Sequence, residues 1–407
     1  MRIGDLSLTN FRNYRRFETR LPSGPLILVG SNGEGKTSLL EAIHYLAAAN
    51  SPHAGSDRQL IHWLALREDS QPFLRIIAEV LLVEETRTIE IRLELQSTGT
   101  EQGQRLQKTV LVDGLKQRIR ALSGLVNVVM FLPQDMVLVD GAPGERRRFL
   151  DATISQVDSA YANAVREYAK VIAQRNALLK NLQERTGAAD QLEYWDESLC
   201  VLGATLMARR ARALEEIEQY ASVLHQELTS ENGHLRLVYQ PSYDPAEQPG
   251  EQLELGLEVG QLRAAIPETD LAVGMREHLN KLRREEMQRG MTLVGPHRDD
   301  FRFALSGVDL GIFGSRGQGR TAVLALKLAE MAWMHDRSGE WPLLLLDEVL
   351  AELDPQRRHD LLQRINGAEQ VLLTTADLDM VAAEFQRHAR VWRVTAGTVQ
   401  PETASHM

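Results

Sequence analysis

The stretch Gly30-Ser31-Asn32-Gly33-Glu34-Gly35-Lys36-Thr37 constrains the fold more than any other part of the 407-residue chain. It fits G-x-x-x-x-G-K-[ST], a loop whose glycines let backbone N–H groups converge on phosphate oxygens. Lys36 would reach the β- and γ-phosphates of a nucleotide, and the Thr37 hydroxyl would ligate Mg²⁺. Ser38 is assigned to the same site. The flanks agree with this reading. Leu26-Ile27-Leu28-Val29 is an uninterrupted apolar run, as in a parallel strand buried on both faces. Leu39, Leu40, Ile43 and Leu46 recur at helical spacing. A strand, a glycine loop and a helix N-terminus in that order form an anion site.

A chain this long suits two or three domains. With 43% hydrophobic and 25% charged residues it reads as soluble and globular. The single cysteine, Cys200, excludes an internal disulfide framework and a cysteine-rich metal site, and fits a reducing, cytoplasmic compartment. No run approaches the roughly 20 apolar residues that span a bilayer, so no membrane partner is expected. The start, Met1-Arg2-Ile3-Gly4-Asp5, lacks the apolar core of a signal peptide. A net charge of −10 weighs against a nucleic-acid partner, so any such role must rest on local basic clusters.

Along the chain, Leu6 to Phe17 predicts a strand pair in which Arg12, Arg15, Arg16 and Tyr14 either contact a nucleotide or form a basic solvated turn. Phe73 to Leu95 and Thr109 to Val112, with turns at Ser97–Gln104 and Asp113-Gly114, predict an antiparallel layer. Val126 to Leu132 predicts another strand, and Gln134 just beyond it is the candidate for sensing the metal or the attacking water. Arg146-Arg147-Arg148 at a helix start opposes the macrodipole. The run serves either phosphate or acidic side chains, or is simply solvated. From about Ser155 to Ser230, apolar residues at about 3.5-residue spacing predict two long helices joined at Thr186–Asp190, on the order of 50 Å each at most. Arg209, Arg210 and Arg212 would mark their exposed side as partly basic. Pro241 to Gly250 reads as a linker and Leu271 to Arg289 as a charged amphipathic helix. His297 is read as a packed or turn residue.

Two late stretches decide the class. Ser315-Arg316-Gly317-Gln318 opens a helix, giving an anion-binding end with a hydroxyl and no lysine. Leu343 to Leu346 then form a buried strand ending in Asp347-Glu348. Asp347 would hold Mg²⁺, and Glu348 would orient or deprotonate the attacking water. Ala351-Glu352-Leu353-Asp354 follows, with Asp354 set to face a second subunit's phosphates. Val371 to Thr375 makes one more strand, ending at Ala376-Asp377.

Together these motifs resemble the ABC-type ATPases of the SMC-like group and, more closely, the RecF family. Leu8-Thr9-Asn10-Phe11-Arg12-Asn13-Tyr14, Gly141 to Asp151, Gln174 to Leu179, Gly295 to Asp300, Ser315 to Gln318 and Leu346-Asp347-Glu348 carry the likeness from about residue 3 to 380. The fold implied is an α/β phosphate-loop ATPase head with an antiparallel β layer and an inserted, mainly helical lobe. Residues 1–150 and 290–407 would form the head and 151–289 the insert. The resemblance implies ATP and Mg²⁺ as cofactors and an ATP-dependent homodimer. It also implies binding to duplex DNA and to gapped and single-strand junctions, and work with RecR and RecO in loading RecA. Catalytic roles fall to Glu348, Lys36 and Gln134. Nucleotide contacts fall to Gly30 through Ser38, Arg12, Ser315, Gly317, Gln318 and Asp354, and metal contacts to Thr37, Asp347 and Gln134. ABC ATPases often carry a histidine after the last strand. Thr375-Ala376-Asp377 stands there instead, which points to slow turnover. The insert is too short for the arms of a long SMC machine. A phosphate-loop kinase would not need the Ser315 and Asp354 stretches, and a transporter subunit usually keeps the histidine.

Overall fold

The computed structural model describes residues 1–97, 104–184, 190–229, 233–243 and 266–402. The expected turns at Ser97–Gln104 and Thr186–Asp190 and the linker Pro241–Gly250 lie largely outside these residues. Two compact units emerge, Met1–Asp135 with Met334–Met407, and Met136–Trp333. The second unit extends past 151–289 at both ends.

The first unit begins with β1 (Arg2–Phe11), β2 (Tyr14–Arg20) and β3 (Gly24–Val29), then α1 (Lys36–Ala48) and α2 (Trp63–Glu68). It continues through β4 (Phe73–Leu81), β5 (Thr86–Ser97), β6 (Gln104–Val112), β7 (Leu115–Gln117) and β8 (Val128–Phe131). Six of these strands form an antiparallel sheet in the order β2-β1-β4-β5-β6-β7. Buried and half-exposed residues alternate along β4, the period expected when one sheet face meets a core. The hairpin at Asp113-Gly114 has φ of 52° and 77°, the left-handed pair that a tight two-residue turn requires.

The second unit holds α3 (Val137–Asp140), α4 (Pro143–Val157), α5 (Ser159–Glu184), α6 (Gln191–Leu228), β9 (Leu235–Gln240) and α7 (Glu268–Arg289). β10 (Asp300–Leu305), β11 (Val308–Asp309), α8 (Leu310–Phe313) and most of α9 (Arg316–Ser338) complete it. β10 lies between β9 and β11 in a small antiparallel sheet. At 38 residues, α6 is longer than expected, about 57 Å at 1.5 Å per residue. It packs between α5 and α7.

Charge buried in this unit corrects the reading of its arginines. Arg175, in the middle of α5, is fully buried and pairs with Asp196 at 2.7 Å and Glu286 at 2.6 Å. Its third contact is Thr292 Oγ1, at 2.8 Å. One guanidinium thus ties α5, α6, α7 and the following turn. Arg210 is also buried, donating to Asp151 at 2.8 Å and to the Pro296 carbonyl at 2.6 Å. Of the three arginines expected on the exposed side of α6, only Arg212 is exposed. The arginine run on α4 likewise serves acidic and backbone oxygens. Arg146 chelates Asp300 at 2.7 and 2.8 Å, Arg147 donates to the Asp299 carbonyl, and only Arg148 stays at the surface. His297 is packed against Tyr168, and burial pushes its pKa down to about 4, so it is neutral near pH 7.

The chain then returns to the first unit with β12 (Leu343–Asp347), α10 (Pro355–Ile365), β13 (Gln370–Thr375), α11 (Ala383–His388), β14 (Arg390–Thr395) and β15 (Thr398–Pro401). These complete a second sheet in the order β15-β14-β3-β13-β12-β8, parallel from β14 to β8. β12 and β13 are buried along their whole length, and each carries an unbroken apolar run, Leu343 to Leu346 and Val371 to Leu373. One core joins α1 (Leu39, Leu40, Ile43) to Leu8, Ile76 and Ile91 of the antiparallel sheet and to Leu28, Leu345 and Leu372 of the parallel one.

Removing the cation that holds α5 to α7 should be costly, because two buried carboxylates lose their partner. Arg175→Met should destabilise the chain by about 3–5 kcal/mol in urea unfolding followed by circular dichroism. A change below about 0.5 kcal/mol would mean that the cluster does not hold the helices together.

Candidate functional site

Parallel strands running together place their C-terminal ends on one edge, the usual position of a site in an open α/β sheet. Here β3 ends at Val29 and feeds the glycine loop, β12 ends at Asp347, β13 at Thr375, and β8 just before Pro133. Register does the fine placement. Thr374 lies opposite both Asp347 and Leu28, and Thr375 lies opposite Val29. The Thr37 hydroxyl donates to Asp347 Oδ1 at 2.8 Å, and Thr374 Oγ1 reaches the same oxygen at 2.8 Å. Asp347 is 5% exposed. An oxygen pair of hydroxyl and carboxylate at the head of a helix suits a hard cation such as Mg²⁺.

Lys36 is buried beneath the loop. Its Nζ donates to the Gly30 carbonyl at 2.7 Å and the Ser31 carbonyl at 3.0 Å, and pairs with Glu348 Oε1 at 3.0 Å. Glu348 sits at φ 49° directly after β12, and its N–H donates to Thr374 Oγ1 at 2.9 Å. That backbone turn aims the carboxylate toward Lys36. Gly35 precedes α1 at φ +119°, with no side-chain cap on the helix N-terminus and no acidic residue in its first turn. The partial positive charge of α1 therefore faces a cleft of about 320 Å³ lined by Asn32, Gly33, Gly35, Lys36, Thr37, Ser38, Pro133, Asp347 and Glu348. An amide-rich cleft at a helix N-terminus, with a buried lysine and a paired oxygen site, fits a nucleotide phosphate chain and its metal.

Other expected residues stand apart from that cleft. Gln134 is exposed in the turn after Pro133, one residue beyond the lining. Arg12 chelates Glu41 of α1 through two 2.7 Å bonds. The Glu34 side chain accepts from the Ala396 N–H, on the turn between β14 and β15. Asp354 caps α10, accepting from Arg357 N at 3.0 Å and pairing with that side chain, contacts that hold its carboxyl below the usual range. Thr375 and Asp377 are engaged in local turn contacts.

In the second unit, Ser315 N donates to Gln318 Oε1 at 3.0 Å and Gln318 N donates to Ser315 Oγ at 3.2 Å. This reciprocal capping box closes the start of α9. It makes Ser315 Oγ an acceptor at that helix end. Ser315 is exposed and Gly317 half-buried at the same helix end.

Sequence reasoning did not assign Thr374, Asn13 or the Ala396–Gly397 turn to the site, and it offered Tyr14 only as one alternative, a direct nucleotide contact. A threonine at the end of a buried strand was a usable signal for Thr374. Asn13 lay inside the same recognised stretch as Arg12 and Tyr14 without being singled out. Nothing local marks the Ala396–Gly397 turn.

The chain matches the model of the RecF/RecN/SMC N terminal domain over residues 2–400. It is 42% identical to the DNA replication and repair protein RecF of Chloroflexus aurantiacus, an alignment that covers 98% of this chain and 99% of that protein. It superposes on a solved structure of the recombination mediator protein RecF with ATP, of the RecFOR pathway, with a TM-score of 0.82 at 27% identity over 98% of this chain and 97% of that one. The Smc head domain of Pyrococcus furiosus shares the fold alone, at 15% identity and a TM-score of 0.50 over 98% and 95% of the two chains. The architecture is thus the expected ABC-type, SMC-like head with an antiparallel layer and a helical unit. The motifs, the fold and these likenesses agree, and the chain belongs to the RecF family.

Proposed function

We propose that the chain is a DNA-repair ATPase that closes as an ATP-dependent homodimer on duplex DNA and on gapped or single-strand junctions. In this role it acts in the cytoplasm with RecR and RecO to promote loading of RecA, and hydrolysis resets the clamp. The observation that carries the reading is the convergence of Lys36, Thr37, Asp347 and Glu348 at one sheet edge. The membership in the RecF family and the likeness to a RecF structure with ATP support it.

Residues Gly30 to Ser38 bind the phosphates through backbone N–H groups and Lys36. Thr37 and Asp347 would hold Mg²⁺, with Gln134 completing the shell, and the ion would supply charge neutralisation at the β- and γ-phosphates. Glu348 accepts a proton from the attacking water and orients it. Across the dimer, Ser315, Gly317 and Gln318 of one copy close over the nucleotide of the other, with Asp354 and Arg12 beside it. ATP is then the glue between two copies, and its loss opens them. Turnover is slow and DNA-stimulated, in keeping with Thr375-Ala376-Asp377 where a histidine often stands. Among the described residues no helix is long and apolar enough to cross a membrane.

Size-exclusion chromatography with light scattering on Glu348→Gln should show monomer without ATP and a long-lived dimer with ATP and Mg²⁺, which then takes up gapped duplex. Normal turnover in that variant would remove Glu348 as the water-activating group. Lys36→Met should lose ATP-dependent dimerisation altogether, and an unchanged dimer fraction would refute the sandwich. Ser315→Arg should bind ATP with wild-type affinity yet remain monomeric in the same experiment. Loss of binding there would place Ser315 in its own subunit's site.

A further inference from the structure

Two turns lie against the outer side of the phosphate loop. The first is the corner between β1 and β2. Asn13 Nδ2 donates to the Glu34 carbonyl at 2.9 Å, and the Tyr14 hydroxyl donates to the Gly35 carbonyl at 3.0 Å. Tyr14 is fully buried, and burial raises its pKa, so its O–H is always present to donate. The second is the β14–β15 turn. Gly397 N donates to the same Glu34 carbonyl at 2.9 Å, and Ala396 N donates to the Glu34 carboxylate. Contact here is close. A Cβ on Gly397 would lie 2.6 Å from the Asn13 carbonyl oxygen, so the two turns also touch each other.

We propose that Asn13, Tyr14 and the Ala396–Gly397 turn are the positioning elements of the nucleotide site. They pin the Glu34 carbonyl outward, and Tyr14 joins the Leu39 N–H of α1, at 3.1 Å, in holding the Gly35 carbonyl, so that the Gly35 and Lys36 N–H groups are aimed at the phosphates. Among the described residues no peptide bond is cis. In a planar trans peptide the C=O and the following N–H point in opposite directions. The Glu34 carbonyl shares its peptide with the Gly35 N–H, and the Gly35 carbonyl shares its peptide with the Lys36 N–H. Fixing the two oxygens on the outer side therefore fixes the two donors on the cleft side, where Gly35 and Lys36 form part of the lining. The Glu34 side chain, expected among the nucleotide contacts, belongs to this brace. A loop held in its binding shape before the ligand arrives does not spend binding energy on ordering itself. The inference rests on the nucleotide-binding reading of the cleft.

The test titrates a fluorescent ATP analogue with Mg²⁺ into the full chain and into Asn13→Ala and Tyr14→Phe. Each variant should bind about five- to tenfold more weakly, the worth of one hydrogen bond. Their melting temperatures without nucleotide should stay within about 2 °C of the wild type, because Tyr14→Phe keeps the ring and Asn13 is only half-buried. KM for ATP should rise more than kcat falls. Arg393→Ala, in the same hairpin and paired with Glu402, should bind as the wild type does. Wild-type affinity in both Asn13→Ala and Tyr14→Phe would overturn the positioning role and leave the nucleotide reading standing. Weaker binding matched by an equal loss of melting temperature would also overturn it, as a purely structural effect. No binding by the wild type would remove the reading on which the proposal rests.

Discussion

Asp347 Oδ1 receives the Thr37 hydroxyl and lies within 2.8 Å of Thr374 Oγ1, and these three residues come from three different segments. They meet because β3, β13 and β12 run parallel and in a register that sets Thr374 between its neighbours. Slipping β12 by one residue would turn Asp347 to the other face of the sheet. The same shift would separate Glu348 from Lys36. The chemistry of the cleft therefore depends on apolar pairing along Leu343 to Leu346 and Val371 to Leu373, residues outside the cleft lining. Their complete burial makes the register hard to change.

The second unit solves a different problem. Its long helices meet around guanidinium groups instead of apolar side chains alone. Arg175 and Arg210 each satisfy several acceptors from separate elements, and Arg146 does the same for α4 and β10. A buried charge is tolerated only where its partners are fixed. Each of these arginines thus specifies one relative placement of the elements it joins, where a greasy contact would accept several. It also removes cations from the surface. The basic character suggested by Arg146 to Arg148 and by Arg209 to Arg212 is largely consumed inside the unit.

The architecture was legible where periodicity or chemistry repeats. The strand–loop–helix around Lys36, the buried strand before Asp347 and the two long helices follow from local pattern. The capping pair Ser315 and Gln318 was visible as a motif but not as a cap. What sequence concealed was partnership at a distance. Arg175 sits at a helical core position, and only its acidic neighbours from α6 and α7 explain why it is not a leucine. Arg210 sits beside two other arginines and differs from them only by the face it occupies. Glu34 stands inside the phosphate motif, so its turn away toward Ala396 could not be read without knowing that β14 lies next to β3. Gln134 was placed by analogy of strand position, and it does flank the cleft without lining it.

The arrangement of the parallel sheet has a consequence for synthesis. β3 emerges early, yet both of its neighbours, β13 and β14, come from the end of the chain. Thr37 and Asp347 are 310 residues apart. At roughly 5–20 residues per second the ribosome needs roughly 15–60 s to cover that interval. Throughout it, the apolar segment Leu26 to Val29 has no strand on either side. An unpaired, buried-type strand is a template for pairing with other chains. The nascent protein is thus exposed to mispairing at the segment on which its nucleotide chemistry will later depend, and a chaperone that covers Leu26 to Val29 until β13 and β14 follow would protect it.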